Sequence, residues 1–110
     1  MKDARVAKLM TALGRRFPDA DVLAVPMPDQ PDSGELALMV IGVAENRRRD
    51  VDEFASKTSE SLWGEEPWTA FVFAMSGKSG GVRYSDLLRA VRRRRAAAPR
   101  KRRRPIAGRA

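Results

Sequence analysis

From Arg92 to Ala110 the chain carries nine arginines and one lysine, without an acid among them. A guanidinium presents its donors as a planar fork that matches phosphate oxygens two at a time and stacks on bases, so this pattern points to nucleic acid, RNA or DNA. The overall charge of +8 is unevenly spread: residues 1–91 hold 12 Lys/Arg against all 14 Asp/Glu, a net of −2, and the remaining 19 residues hold +10. The side chains expected to meet phosphates are Arg92, Arg93, Arg94, Arg95, Arg100, Lys101, Arg102, Arg103 and Arg104. Arg47, Arg48, Arg49 and Lys78 would add a second contact from the body if they fall on the same face. An anionic membrane suits the tail less well, because Ile106 is its one large apolar anchor. Lys101-Arg102-Arg103-Arg104-Pro105 also has the composition of a nuclear address.

Much chemistry is excluded. The chain has no cysteine and no histidine, which removes thiolate nucleophiles, Cys/His zinc sites and any Ser-His relay. Ser76-Gly77-Lys78-Ser79 resembles the end of a phosphate-binding P-loop, but the glycine required five positions before Gly77 is replaced by Val72, inside a strand. Asp32 is followed by Glu35-Leu36-Ala37, with alanine where a metal nuclease needs lysine, and Asp50-Val51-Asp52 lacks the Gly-Ser that precedes a nucleotidyltransferase acid pair. The expectation is a protein that is not an enzyme, with no cofactor and no bound metal. Trp63, Trp68, Phe71 and Tyr84 offer stacking surfaces for bases, although a small core needs most of these rings. Trp63, next to Gly64, is expected to be the most exposed of them.

These side chains need a scaffold, and its centre is Glu35–Val43. Both parities of that stretch are apolar, Leu36, Leu38 and Val40 on one face and Ala37, Met39, Ile41 and Val43 on the other. Such a run predicts a central strand covered on both sides. Before it, Val6, Leu9, Met10, Leu13 and Phe17 have helical spacing over residues 2–16, and Asp21–Met27 reads as an edge strand because of Pro26. The turn-rich Pro28–Gly34 predicts a hairpin between the two strands. A second helix is expected over 50–62 with Asp50 as N-cap, leaving Arg47–Arg49 in an exposed loop.

Trp68–Ser76 then reads as the third strand, its bulky Phe71, Phe73 and Met75 face meeting the helices. Its small Ala70, Val72 and Ala74 face would lie under the last helix or against a second subunit. Ser85 is expected to cap a third helix over 85–97, with Tyr84, Leu87, Leu88 and Val91 as its apolar stripe and Pro99 at its end.

The predicted fold is α+β: a two-layer sandwich with a three-stranded sheet and three helices in the order α-β-β-α-β-α, followed by a disordered basic tail. Residues 1–91 form the small domain and 92–110 the Arg-rich helix extension and tail. There is no run of about 18 apolar residues, and Lys2, Asp3, Arg5 and Lys8 break up any leader-like apolar stretch; a cytoplasmic protein is expected. Over Lys2–Met75 the order helix, strand, strand, helix, strand resembles the type II KH domain, which implies nucleic-acid binding. The family's Gly-x-x-Gly lies between two helices, however, whereas Gly77-Lys78-Ser79-Gly80 follows the third strand. The competing reading is an interaction module, a homo-oligomer or the subunit of a protein partner, joined through the small-residue strand face.

Overall fold

The computed structural model describes residues 3–77 and 81–109, with side chains as far as Ala97. The elements follow the expected order: α1 (Ala4–Arg16), β1 (Asp21–Pro26), β2 (Leu36–Ile41), a 3-10 turn (Glu45–Arg47), α2 (Arg48–Trp63), β3 (Ala70–Met75) and α3 (Tyr84–Arg109). The third helix, expected to stop at Pro99, continues to Arg109, and the side chains of 98–110, expected to form a disordered basic tail, lie outside those described.

β2 is the middle strand, antiparallel to β1 on one side and parallel to β3 on the other. Its two apolar faces feed two cores. On one face Leu38 and Val40 join Val72, Ala70 and Ala74 of β3 against Val6, Leu9 and Leu13 of α1 and Val51, Ala55 and Trp63 of α2. On the other, Ala37, Met39 and Ile41 join Phe73 and Met75 against Leu87 and Val91 of α3, with Met27 beside them. Burying a side chain such as Leu9, Leu13 or Leu38 is worth about 1.5–3 kcal/mol, so these two stripes hold the helices on the sheet.

Four assignments are corrected by this packing. The small face of β3 lies under α1 and α2, within the chain, while its bulky face meets only α3. Two helices crowd one side, and small side chains let them approach; on the other side a single helix leaves room that Phe73 and Met75 fill. Val43, expected on the Met39–Ile41 face, belongs to the opposite core, because Gly42 at φ 97° redirects the chain as the strand ends. Trp63 is buried, not exposed, and Tyr84 is exposed rather than part of an apolar stripe.

Local signals explain most helix ends. Asp3 caps α1, its Oδ1 accepting from the Arg5 backbone N–H at 3.0 Å. The Arg5 guanidinium bonds the same carboxylate and reaches Glu66 at 2.8 Å, tying α1 to the turn after α2. Arg5 thereby holds the Asp3 carboxyl well below its ordinary range, first through side-chain hydrogen bonding. Gly64 ends α2 as expected, its N–H bonding the Glu60 carbonyl at 2.8 Å. α3 begins one residue earlier than expected: Asp86 reaches back to the Arg83 backbone N–H at 3.0 Å, so Asp86 rather than Ser85 supplies the cap contact.

α2 departs further. Asp50 is not its N-cap; the helix starts at Arg48, out of a 3-10 turn, with no side-chain cap. The unfavourable placing of arginines at a positive helix end is offset locally. Arg47 lies 3.6 Å from Asp50 and Arg48 lies 3.6 Å from Glu45, and the Arg47 guanidinium also rests 5.3 Å from the centroid of the Phe17 ring. Arg47–Arg49 are therefore placed by helical geometry, not by a loop.

Candidate nucleic-acid interface

The turns of α3 from Leu87 to Arg95 sort its basic side chains by the helix period. Leu87 and Val91 point into the core, and Arg95, one turn on, turns toward the β1–β2 connection. Its Nε donates to Asp29 Oδ2 at 2.7 Å and its Nη2 lies 3.5 Å from Glu35 Oε1. Arg95 lowers the pKa of Asp29, mainly through that hydrogen bond, and its own is raised by the same contact. Arg95 is thus a clamp between α3 and the sheet, committed to carboxylates. Tyr84 adds a second tie, its hydroxyl donating to the Pro28 carbonyl at 3.1 Å.

Arg94 stacks on the sheet instead. Its guanidinium carbon sits 4.0 Å from the Phe73 ring centroid, close enough for a strong cation–π contact. Desolvation there pushes its pKa down, with Asp52 opposing, yet an arginine so placed remains a cation. The residue still presents an exposed outer side.

Beside it opens a cleft of about 220 Å³ between α2 and α3, lined by Arg48, Asp52, Phe73, Ala74, Arg93 and Arg94. The structure therefore unites three of the expected residues, Arg48 from the start of α2 with Arg93 and Arg94 from α3. Arg47 is drawn away toward Phe17 and Asp50, and Arg49 is exposed but does not line the cleft. Arg92 and Arg93 are exposed on the outer side of α3. Arg100, Lys101, Arg102, Arg103 and Arg104 lie beyond the described side chains, and Lys78 also lies outside the described residues.

Arg89, absent from the sequence-based set, is exposed on α3 three and four residues before Arg92 and Arg93. That spacing places it on the same helix face, and the spacing is the signal that would have found it. Next to the cleft, Trp68 and Phe71 are half-buried with ring centroids 6.5 Å apart and planes at 33°. A narrower recess along β3 is lined by Trp68, Phe71, Ser56 and Ser59 and shares Asp52 and Arg94 with the cleft. Arginine forks and aromatic faces in one trough are the elements of single-strand recognition.

The other sequence candidates lose ground. The P-loop-like turn follows Met75 at the ends of β2 and β3, where a cleft is lined by Asp19, Asp21, Glu45, Ser76 and Gly77. Carboxylates there oppose a phosphate. Among the described residues no three acids converge as a metal site would require. No described helix is long and apolar enough to cross a membrane.

Comparison of the chain with protein-family models, with curated proteins and with solved structures finds no match. The likeness to the type II KH domain accordingly stays at the order of elements.

Proposed function

We propose that this protein binds nucleic acid without catalysing a reaction, through arginines displayed on α3 from Arg89 to Arg94 and the basic residues that follow them in sequence. The observation that carries this reading is the convergence of Arg48, Arg93 and Arg94 on one cleft beside the exposed Arg89 and Arg92, on a chain that has six further cations between Arg100 and Arg109 and no acid among them. Phosphate contacts of this kind are independent of sequence, and their strength comes largely from released counterions. RNA and DNA are both candidates; the half-buried Trp68 and Phe71 favour a single strand, whose bases are free to stack.

The test is the ionic-strength dependence of binding to labelled single-stranded RNA and to duplex DNA. The full chain is expected to lose affinity steeply with salt, the logarithm of the association constant falling by about 0.9 for each phosphate neutralised on a duplex. Replacing Arg89, Arg92 and Arg93 together by Gln should reduce that slope by up to about 3 in the same plot. A flat salt response, or no binding at low salt, overturns the reading.

A further inference from the structure

The two edges of the sheet are exposed to very different degrees. At the two ends of β3 the carbonyls of Thr69, just before it, and Met75 accept from Leu36 and from Gly42, just after β2, so by the alternation of a strand the odd-numbered residues face β2 and Ala70, Val72 and Ala74 face outward. Those three are 0%, 5% and 6% exposed. Just after β1 the Met27 N–H donates to the Glu35 carbonyl. The same alternation turns Val25, Leu23 and Asp21 toward β2, and Val22, Ala24 and Pro26 toward the open edge. Ala24 and Pro26 are exposed, Val22 is half-buried and Leu23 is 45% exposed.

We propose that β1 is the surface on which a second copy of this chain pairs, antiparallel and edge to edge, to make a continuous six-stranded sheet. The hydrogen-bonding groups match when the outward-facing Val22, Ala24 and Pro26 of the two copies pair among themselves. With Ala24 opposite the partner's Ala24, two bonds form at the centre, and each Val22 N–H meets the partner's Pro26 carbonyl. Pro26 has no N–H to give, and its outward position keeps that loss out of the β1–β2 ladder. In this register Leu23 lies across from the partner's Val25 on one face, covering the large apolar side chain that β1 exposes.

Asp21 shares the face of Leu23 and Val25 and stands opposite the partner's Met27. On the other face an apolar groove runs beside β1, lined by Ala7 and Met10 of α1 with Ala24, Gly34 and Leu36. Edge and groove together offer roughly ten residues a side, at most about half of what a standard interface of about 1,600 Å² uses. A concentration-dependent dimer is the consequence. Its two-fold axis, perpendicular to the sheet, leaves both α3 helices on the same face.

Sedimentation of the full chain, freed of nucleic acid and held at high salt, is the test. The mass is expected to rise from monomer to dimer between micromolar and millimolar protein. Ala24→Pro removes the two central N–H donors without touching the β1–β2 ladder, and Leu23→Lys places a charge at the seam; each should weaken the dimer by about tenfold or more. Amide exchange supplies a readout that does not depend on either variant folding: the Val22 and Ala24 amides should be protected at high concentration and unprotected at low. A chain that stays monomeric at millimolar concentration, a dimer indifferent to both substitutions, or unprotected Val22 and Ala24 amides in the dimer would each overturn the proposal.

Discussion

β1 and β3 are both edge strands of one sheet, both six residues long and both apolar in most positions, yet one is buried and the other is open. The difference comes from how each strand is connected to β2. β1 returns through a hairpin directly to β2, so no helix is laid against its outer edge. β3 pairs in parallel, and a parallel partner requires a crossover; that crossover is α2, whose Ala55, Ser56 and Ser59 lie beside Ala70 and Val72. α3 then contributes Arg94 from the opposite face, across Phe73. Connection type, more than strand composition, decides which edge of a small sheet remains available for pairing.

Charge substitutions break this comparison most sharply. Val72→Asp puts an unpaired carboxylate beneath α2 and should cost about 4 kcal/mol or more in denaturant unfolding, whereas Ala24→Lys on the open edge should stay within about 0.5 kcal/mol in the monomer. Similar costs at the two edges would mean that their burial is not as described.

A smaller effect is expected from pH. Asp3 and Asp29 are the carboxyls whose pKa values fold-specific contacts lower, Asp3 through Arg5 and Asp29 through Arg95. A lowered folded pKa contributes stability that is complete above the unfolded carboxyl value near 4 and disappears as pH falls through the folded value. The melting temperature should therefore be level near neutrality and fall on acidification below about pH 4. Asp29→Asn should flatten part of that fall by removing the clamp between α3 and the hairpin. An acid profile identical to that of the unsubstituted chain would show that Arg95 and Asp29 are not paired in solution.

The smallest effect tests the covered side of the sheet. Trp63 is buried, its Nε1 has no hydrogen-bond partner, and the Arg5 guanidinium lies 5.3 Å from its ring centroid. Trp63→Phe removes an unpaired donor along with some apolar surface, so the two changes oppose each other and the net cost should be about 1 kcal/mol, below the usual large-to-small penalty. A loss of several kcal/mol would show that the indole N–H has a bound water or other partner.

The features legible in the sequence are those set by local periodicity and by charge. The unbroken Leu36–Val43 run marks a strand covered on both faces, Pro26 marks an edge, the spacing from Val6 to Leu13 marks α1, and Gly64 marks the end of α2. Arg92–Arg95 are legible as helical, and the gathering of cations toward the C-terminus needs only counting. Less visible is the start of α2, because Arg47 and Arg48 sit where the helix dipole disfavours them and are tolerated through Asp50, Glu45 and the distant Phe17 ring. The burial of Trp63 is hidden for a related reason: its neighbour Gly64 suggests exposure, but α1 and β3 close over it.

The chain's own residues determined the elements, their order and the polarity of charge along it, since helical and strand periods and glycine or proline stops act within a few neighbours. Only the tertiary structure decided which face of β3 each helix covers, that Arg95 serves the fold while Arg93 and Arg94 meet Arg48, and that β1 is the edge left open. These depend on crossover connections and on contacts between residues tens of positions apart, whose geometry no local pattern encodes.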